Sequence, residues 1–485
     1  MDDQPVRDTE DFRDRIATAD RKGKRIWVFP AKPKGRLYTA RSVVSVFLLA
    51  FLFGAPFLKY NGEPLLLFDI IHRRFIIFGL TFWPQDFHLF VLATITFVVF
   101  VILFTAVFGR LFCGWICPQT IFLEMVFRRI EYWIEGGPAR QRRLAAQEWN
   151  AEKVFKRVLK HGIFFTIAFL IGNTFLAYII SIRELEAIIT DPPSLHIAGL
   201  TAMLIFSFLF YGVFAWFREQ ACTIVCPYGR LQSVLLDNNS IVVAYDHKRG
   251  EPRGPMERGK QRDYLGDCVE CGQCEAVCPT GIDIRNGTQL ECVNCTACID
   301  ACNRTMRKVD LTEGLIRYSS ENGIKGGKTF RITGRIVIYT VVFTILTALL
   351  SFLLITRSDV ETTILRPPGG LYQETDHDMI RNLYSVKVVN KSHQFVPVEF
   401  RLKAPNGGVI TMVGPNVTVE PDGLTESAFF IDIPAKQLFS PNTLVTIEVI
   451  QNGEVIDVIN SAFMGPQHHD NDEHHEKAEE HSDDH

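Results

Sequence analysis

The sequence predicts a multi-domain membrane protein: an α-helical transmembrane bundle of five spans, a cysteine-rich insert before the last span, and a C-terminal β-sandwich. Three observations predict it. Five apolar runs, roughly 41–59, 88–109, 162–182, 195–217 and 335–356, are each long enough to cross a bilayer, which takes about 20 helical residues. Eight cysteines crowd between Cys268 and Cys302. Beyond residue 357 cysteine is absent, and short alternating apolar runs are separated by Asn, Gly, Pro and Asp, the pattern of a sandwich.

The spans come first. At 485 residues and 47% apolar composition the chain has material for several domains. Its totals of 51 Lys plus Arg and 54 Asp plus Glu hide a split, because residues 357–485 hold 9 basic and 21 acidic side chains. Basic residues number 10 in 1–40, 2 in 60–87, 10 in 110–161, 1 in 183–194 and 16 in 218–334. That unbroken alternation places the N-terminus, the 110–161 loop and the 218–334 insert in the cytosol, with the acidic C-terminal region exported. It also argues against a nucleic-acid-binding face, since the positive charge is shared among separate loops. The charged stretch before the first run, with Arg21, Lys22, Lys24 and Arg25, is too long and polar for a secretory leader, so that run is expected to be a retained span. The expected boundaries are 1–40, a four-span region 41–217, a cytosolic region 218–334, a fifth span 335–356, an exported domain 357–465 and a tail 466–485.

All twelve cysteines fall in segments assigned to the cytosol, which excludes a secreted disulfide framework and points to metal or redox work. Eight form Cys268-x2-Cys271-x2-Cys274-x3-Cys278-Pro279 and Cys292-x2-Cys295-x2-Cys298-x3-Cys302. Two copies of this spacing, within about 258–310, predict a bacterial two-[4Fe–4S] ferredoxin-like insert, in which the fourth cysteine of each run ligates the other cluster. Cys268, Cys271, Cys274 and Cys302 are therefore assigned to one cluster, and Cys278, Cys292, Cys295 and Cys298 to the other. Structural zinc sites take four ligands with longer gaps between pairs. Asn303 stands where the first run has Pro279, which is expected to alter stability or potential without loss of the cluster.

The remaining four cysteines occur as Cys113-Gly-Trp-Ile-Cys117-Pro118 and Cys222-Thr-Ile-Val-Cys226-Pro227, 109 residues apart, at the cytosolic ends of spans two and four. The pattern is that of a duplicated hairpin. Proline disfavours helix at the residue before it and favours a first helical turn at its own position, so a break at each Cys-Pro is expected. Three chemistries fit the pairs: a soft thiolate site for Cu(I), a dithiol relay, or buried structural cysteines.

Elsewhere, Ile241–Tyr245 reads as a short strand followed by a charged loop containing His247. Pro118 to Trp133 reads as a surface helix with an apolar face and Arg128, Arg129 and Glu131 turned away from it. Strands are expected at Tyr384–Val389, Val396–Leu402, Val417–Glu420, Ala428–Ile433 and Val445–Ile450. Gln467 to His485 is acidic and histidine-rich, and is expected to be a disordered, solubilising or metal-holding tail.

Two Cys-x3-Cys-Pro motifs at span ends, two four-cysteine runs, a fifth span and a β-rich exported domain together resemble the cytochrome c oxidase accessory protein family called CcoG, FixG or RdxA. The resemblance covers residues from about 20 to 465. It implies a bacterial inner-membrane protein with an immunoglobulin-like C-terminal domain. It also implies reduction of Cu(II) to Cu(I) for assembly of cbb3-type cytochrome c oxidase, with oxidase subunits or copper-delivery proteins as partners and an unidentified electron donor. Cys113, Cys117, Cys222 and Cys226 are then the candidates for copper binding or reduction. The related NapH and NosR proteins share the paired Cys-x3-Cys-Pro feature. Two other readings stand beside this one: a quinol-linked conduit with no metal substrate, and a non-enzymatic assembly scaffold.

Overall fold

The computed structural model describes residues 17–19, 22, 24–60, 62–70, 73–256, 264–327, 332–369, 372–375, 378–415, 417–438 and 440–466. The histidine-rich tail and the segment 257–263 lie outside them. The chain divides into two compact units, one of residues 1–79 and 83–353 and the other of 80–82 and 354–485.

Five helices of the first unit are long and apolar enough to cross a membrane: Arg36–Phe57, Pro84–Phe108, Ala151–Ile180, Ile197–Phe217 and Gly334–Ile355. All five expected spans are present. The third begins a full eleven residues before its expected start, which apolarity alone could not locate. Asn150 starts it by accepting the amide of Lys153 at 2.8 Å, and two lysines of its charged first turns, Lys153 and Lys160, are buried, with Lys160 2.8 Å from Glu135.

Both Cys-Pro steps break the helix as expected. Cys117 (ψ 122°) and Cys226 (ψ 115°) are extended, and new helices start at Pro118 and Pro227. Wider π turns surround these corners, at Phe122–Phe127, Val213–Phe217 and Ala221–Val225. Such turns recur at functional positions.

The cysteine-rich insert is framed by an antiparallel pair, Val242–Tyr245 with Ile316–Ser319, and by the helix Ala297–Lys308. Their apolar faces meet the cysteine loops in one core that includes Val243, Ile299, Met306 and Ile316. The insert is tied to the first span by Asp300, whose carboxylate accepts the amides of Leu37 at 3.3 Å and Tyr38 at 2.7 Å. These amides open the span's helix, so an acid fills the place where a cap belongs.

The second unit is a sandwich of two antiparallel sheets. One orders Val409–Met412, Leu424–Pro434, Met379–Asn390 and Val360–Leu365, with Gln373–Thr375 also paired to Met379–Asn390. The other orders Val417–Val419, Val396–Ala404, Asn442–Gln451 and Glu454–Met464. Alternate residues face inward, so Tyr384, Val386, Phe429, Ile431, Ile447 and Phe463 form the dry interior. The five expected strands all fall on observed ones.

Candidate functional site

The two four-cysteine runs adopt the same backbone path. Glu270 and Asn294, each just after the residue that follows a run's first cysteine, have φ of 52° and 53°. Gly272 and Thr296, between the second and third cysteines, are left-handed at φ 65° and 66°. Glycine adopts that conformation freely, whereas Thr296 holds it against the steric cost of a β-branched side chain. A helix follows each loop, Gln273–Ala276 in one and Ala297–Lys308 in the other.

These loops ring two cavities. One is lined by Cys268, Cys271, Cys274 and Cys302 with Val269, Met306 and Leu315 among its apolar walls. The other is lined by Cys278, Cys292, Cys295 and Cys298, and Cys274 reaches it as well. The fourth cysteine of each run thus lies in the other run's cavity, the crossing that the spacing predicts. Four sulfur donors inside an apolar wall suit a cubane cluster in each cavity. Cys271 is exposed, while Cys268, Cys274 and Cys302 are buried. Burial pushes the Cys274, Cys292 and Cys302 thiols up to about 12, so iron that binds there displaces protons.

The two Cys-x3-Cys-Pro corners interlock. Gln232, on the helix after Pro227, donates to Cys113 Sγ at 3.1 Å. Arg110 donates to Gly229 O at 2.7 Å, and Gln119 to Arg218 O at 3.4 Å. The duplication extends to the backbone, but in a frame shifted by one residue from the two arginines. Gly109 (φ 56°, ψ −130°) and Arg218 (φ 54°, ψ −124°) end the second and fourth spans, each four residues before its first cysteine. Burial pushes Cys113 up to about 11 and Cys222 up to about 12, and Cys117, Cys113 and Cys226 all act on Cys222. Among the described residues no three Cys, His, Asp or Glu side chains converge as ligands of a single ion.

The corner bearing Cys113 touches the second cavity's loop. A Cβ on Gly114 would lie 2.5 Å from Val293 O and 2.7 Å from Asn294 O, between Cys292 and Cys295. Trp115 donates to Tyr318 Oη at 3.1 Å, and Tyr318 in turn donates to Asn294 O at 3.3 Å. Arg128 reaches Pro279 O at 3.0 Å. The second cavity is therefore the inner one, next to the paired cysteines, and the first is the outer one.

One group of residues escaped the sequence reading. Arg128 and Glu131 do not face solvent: they are 1% and 5% exposed. Arg218 grips Glu131 through two bonds of 2.6 and 2.8 Å. Arg128 pairs with Glu124 at 2.9 Å and Glu219 at 3.3 Å, and Arg25 with Glu219 at 3.0 Å. The stripe Glu124, Arg128, Glu131, Glu135 at steps of three and four was the signal, because one charged helix face can meet another as easily as water. His247 opens a single helical turn and joins neither cavity.

Residues 217–321 match the model of a 4Fe-4S dicluster domain, 90–137 that of a 4Fe-4S binding domain, and 350–466 that of the IG-like fold at the C-terminus of FixG. The chain is 35% identical over 383 residues to protein RdxA of Cereibacter sphaeroides, covering 75% of this chain and 80% of that one. It is 33% identical to RdxB of the same organism, covering 76% and 80%. It is 29% identical over 461 residues to nitrogen fixation protein FixG of Rhizobium meliloti, covering 85% and 87%. With two iron–sulfur models, an immunoglobulin-like C-terminal domain and this likeness over most of its length, the chain belongs to the FixG/RdxA family of membrane-associated, iron–sulfur oxidoreductase-like proteins.

Proposed function

We propose that this protein reduces Cu(II) to Cu(I) at Cys113, Cys117, Cys222 and Cys226, for assembly of a cbb3-type cytochrome c oxidase. The observation that carries the reading is the backbone contact of Gly114, one residue from Cys113, with the loop between Cys292 and Cys295. In this proposal Cys268, Cys271, Cys274 and Cys302 hold the outer [4Fe–4S] cluster, and Cys278, Cys292, Cys295 and Cys298 hold the inner one. When bound, the clusters supply one-electron storage and transfer.

The exposed Cys271 faces an as yet unidentified cytosolic one-electron donor. Copper is the substrate: each Cu(II) takes one electron and becomes Cu(I). The paired thiols lose protons as they bind it, and their soft sulfurs favour the cuprous product. Gln232 holds Cys113 in place. The protein sits in the bacterial inner membrane among its lipids, with its N-terminus and cluster insert cytosolic. Its immunoglobulin-like domain is periplasmic, where oxidase subunits or copper-delivery proteins dock.

Anaerobic protein in detergent, reduced and then given Cu(II), tests this. Cluster reoxidation, seen as the return of visible absorbance, is followed beside Cu(I) captured by a chromogenic chelator. Changing all four paired cysteines to serine is expected to lower the rate of Cu(I) formation at least about tenfold, or about 1.4 kcal/mol of transition-state stabilisation, with iron content unchanged. An equal rate from that variant would overturn the copper site. Quinol-dependent reduction of the clusters without copper turnover would favour a conduit instead.

A further inference from the structure

Two buried cations beside the inner cavity have no carboxylate to balance them. Arg41, on the first span, is 1% exposed, and Arg110, at the end of the second, is 5% exposed. Among the described residues neither forms an ion pair. Arg41 Nε donates to Gly114 O at 2.6 Å, which fixes it behind the Gly114 contact with Val293 and Asn294. Its Nη2 is buried with no partner, as is Nε of Arg110. Guanidinium does not lose its proton in proteins, and a buried, unpaired charge is costly. The local structure therefore calls for a nearby anion.

The other arginines at the cavities are already neutralised. Arg285, on the outer wall, pairs with Asp283 at 2.7 Å. Arg128, beside Pro279, pairs with Glu124 and Glu219. Among the described residues, only the inner cavity thus has fixed positive charge left over. Arg110 is placed there by its neighbour Gly109, on which a Cβ would lie 3.4 Å from Asn294 Nδ2 in the loop between Cys292 and Cys295.

We propose that Arg41 and Arg110 are the counter-charges of the inner iron–sulfur site, and that they raise its reduction potential above that of the outer site. They are positioning residues: they stay protonated, no bond is made or broken at them, and they bias an electron toward the membrane side by favouring the more negative, reduced state. Net charge around a cluster is one of the levers on its potential. The inference rests on the cluster assignment proposed above but not on copper.

The test is a redox titration of the full chain in detergent, read by electron paramagnetic resonance with no copper present. Arg41→Gln and Arg110→Gln are each expected to lower the potential of one cluster only. At the wild-type midpoint of that cluster its reduced-to-oxidised ratio should fall about tenfold, equivalent to about 59 mV for one electron. Arg41→Lys should keep most of the wild-type value. Unchanged potentials at full iron content, or equal shifts in both clusters, would overturn the proposal. Should Arg41→Gln fail to load iron, Arg110→Gln decides on the same criteria. Fewer than two clusters in the wild type would instead count against the assignment on which the inference rests, and loss of copper turnover alone would leave the inference intact.

Discussion

Gly114 leaves no room for a methyl group, because a Cβ would overlap two carbonyl oxygens of the loop between Cys292 and Cys295. Gly114→Ala is expected to cost about 1–3 kcal/mol as an overpacking change. It should also slow electron arrival at the paired cysteines; the two effects are read as lower thermal stability in detergent and slower reoxidation of the reduced clusters by Cu(II). Glu131 makes a second, pH-dependent case. Burial opposes its ionisation, yet Arg218, Lys160 and Arg128 outweigh that and hold its carboxyl below the usual carboxylate range. A depressed acid stabilises the fold fully above its unfolded value of about 4.3, and that stability is lost as pH falls through the lower folded value. Glu131→Gln should abolish this acid-dependent step in melts taken from pH 6 downward. It should also lose up to about 3–5 kcal/mol at neutral pH, because the buried Arg218 loses its two-bond partner and keeps only Glu219 at 3.6 Å.

Elements were legible where one force dominated. Long apolar runs located five spans, and the backbone rule before proline located both corners. Spacing alone paired Cys302 with the first run and Cys278 with the second. The start of the third span and the buried stripe on Glu124, Arg128, Glu131 and Glu135 were not legible, since a charged helix face looks the same whether it meets water or opposite charge. Strand Glu454–Met464 escaped notice because only Phe463 is buried and the rest are exposed or half-buried at a sheet edge, which leaves no clean alternation. That strand is nonetheless joined to the opposite sheet through Tyr384, whose hydroxyl donates to Ala462 O at 2.8 Å. Tyr384→Phe should cost about 0.5–1.5 kcal/mol, the net contribution of one hydrogen bond. Hydrogen exchange should show faster opening of Glu454–Met464 in the full chain.

At the scale of the whole molecule, the charge asymmetry makes orientation testable. With 9 basic and 21 acidic side chains in residues 357–485, that end is expected outside. A phosphatase reporter fused after residue 466 should be active and one fused at the N-terminus silent; the reverse pattern would refute the assignment. The tie between Asp300 and the first span has a consequence for biogenesis. Asp300 and Leu37 are 263 residues apart in the chain, so at about 5–20 residues per second a ribosome makes the cap on the order of 15–50 s after the helix it closes. During that interval the amides of Leu37 and Tyr38 must rely on water or lipid headgroups. The helix that ends the wait also carries Cys298 and Cys302, so the first span gains its cap with the same segment that brings two of the eight clustered cysteines.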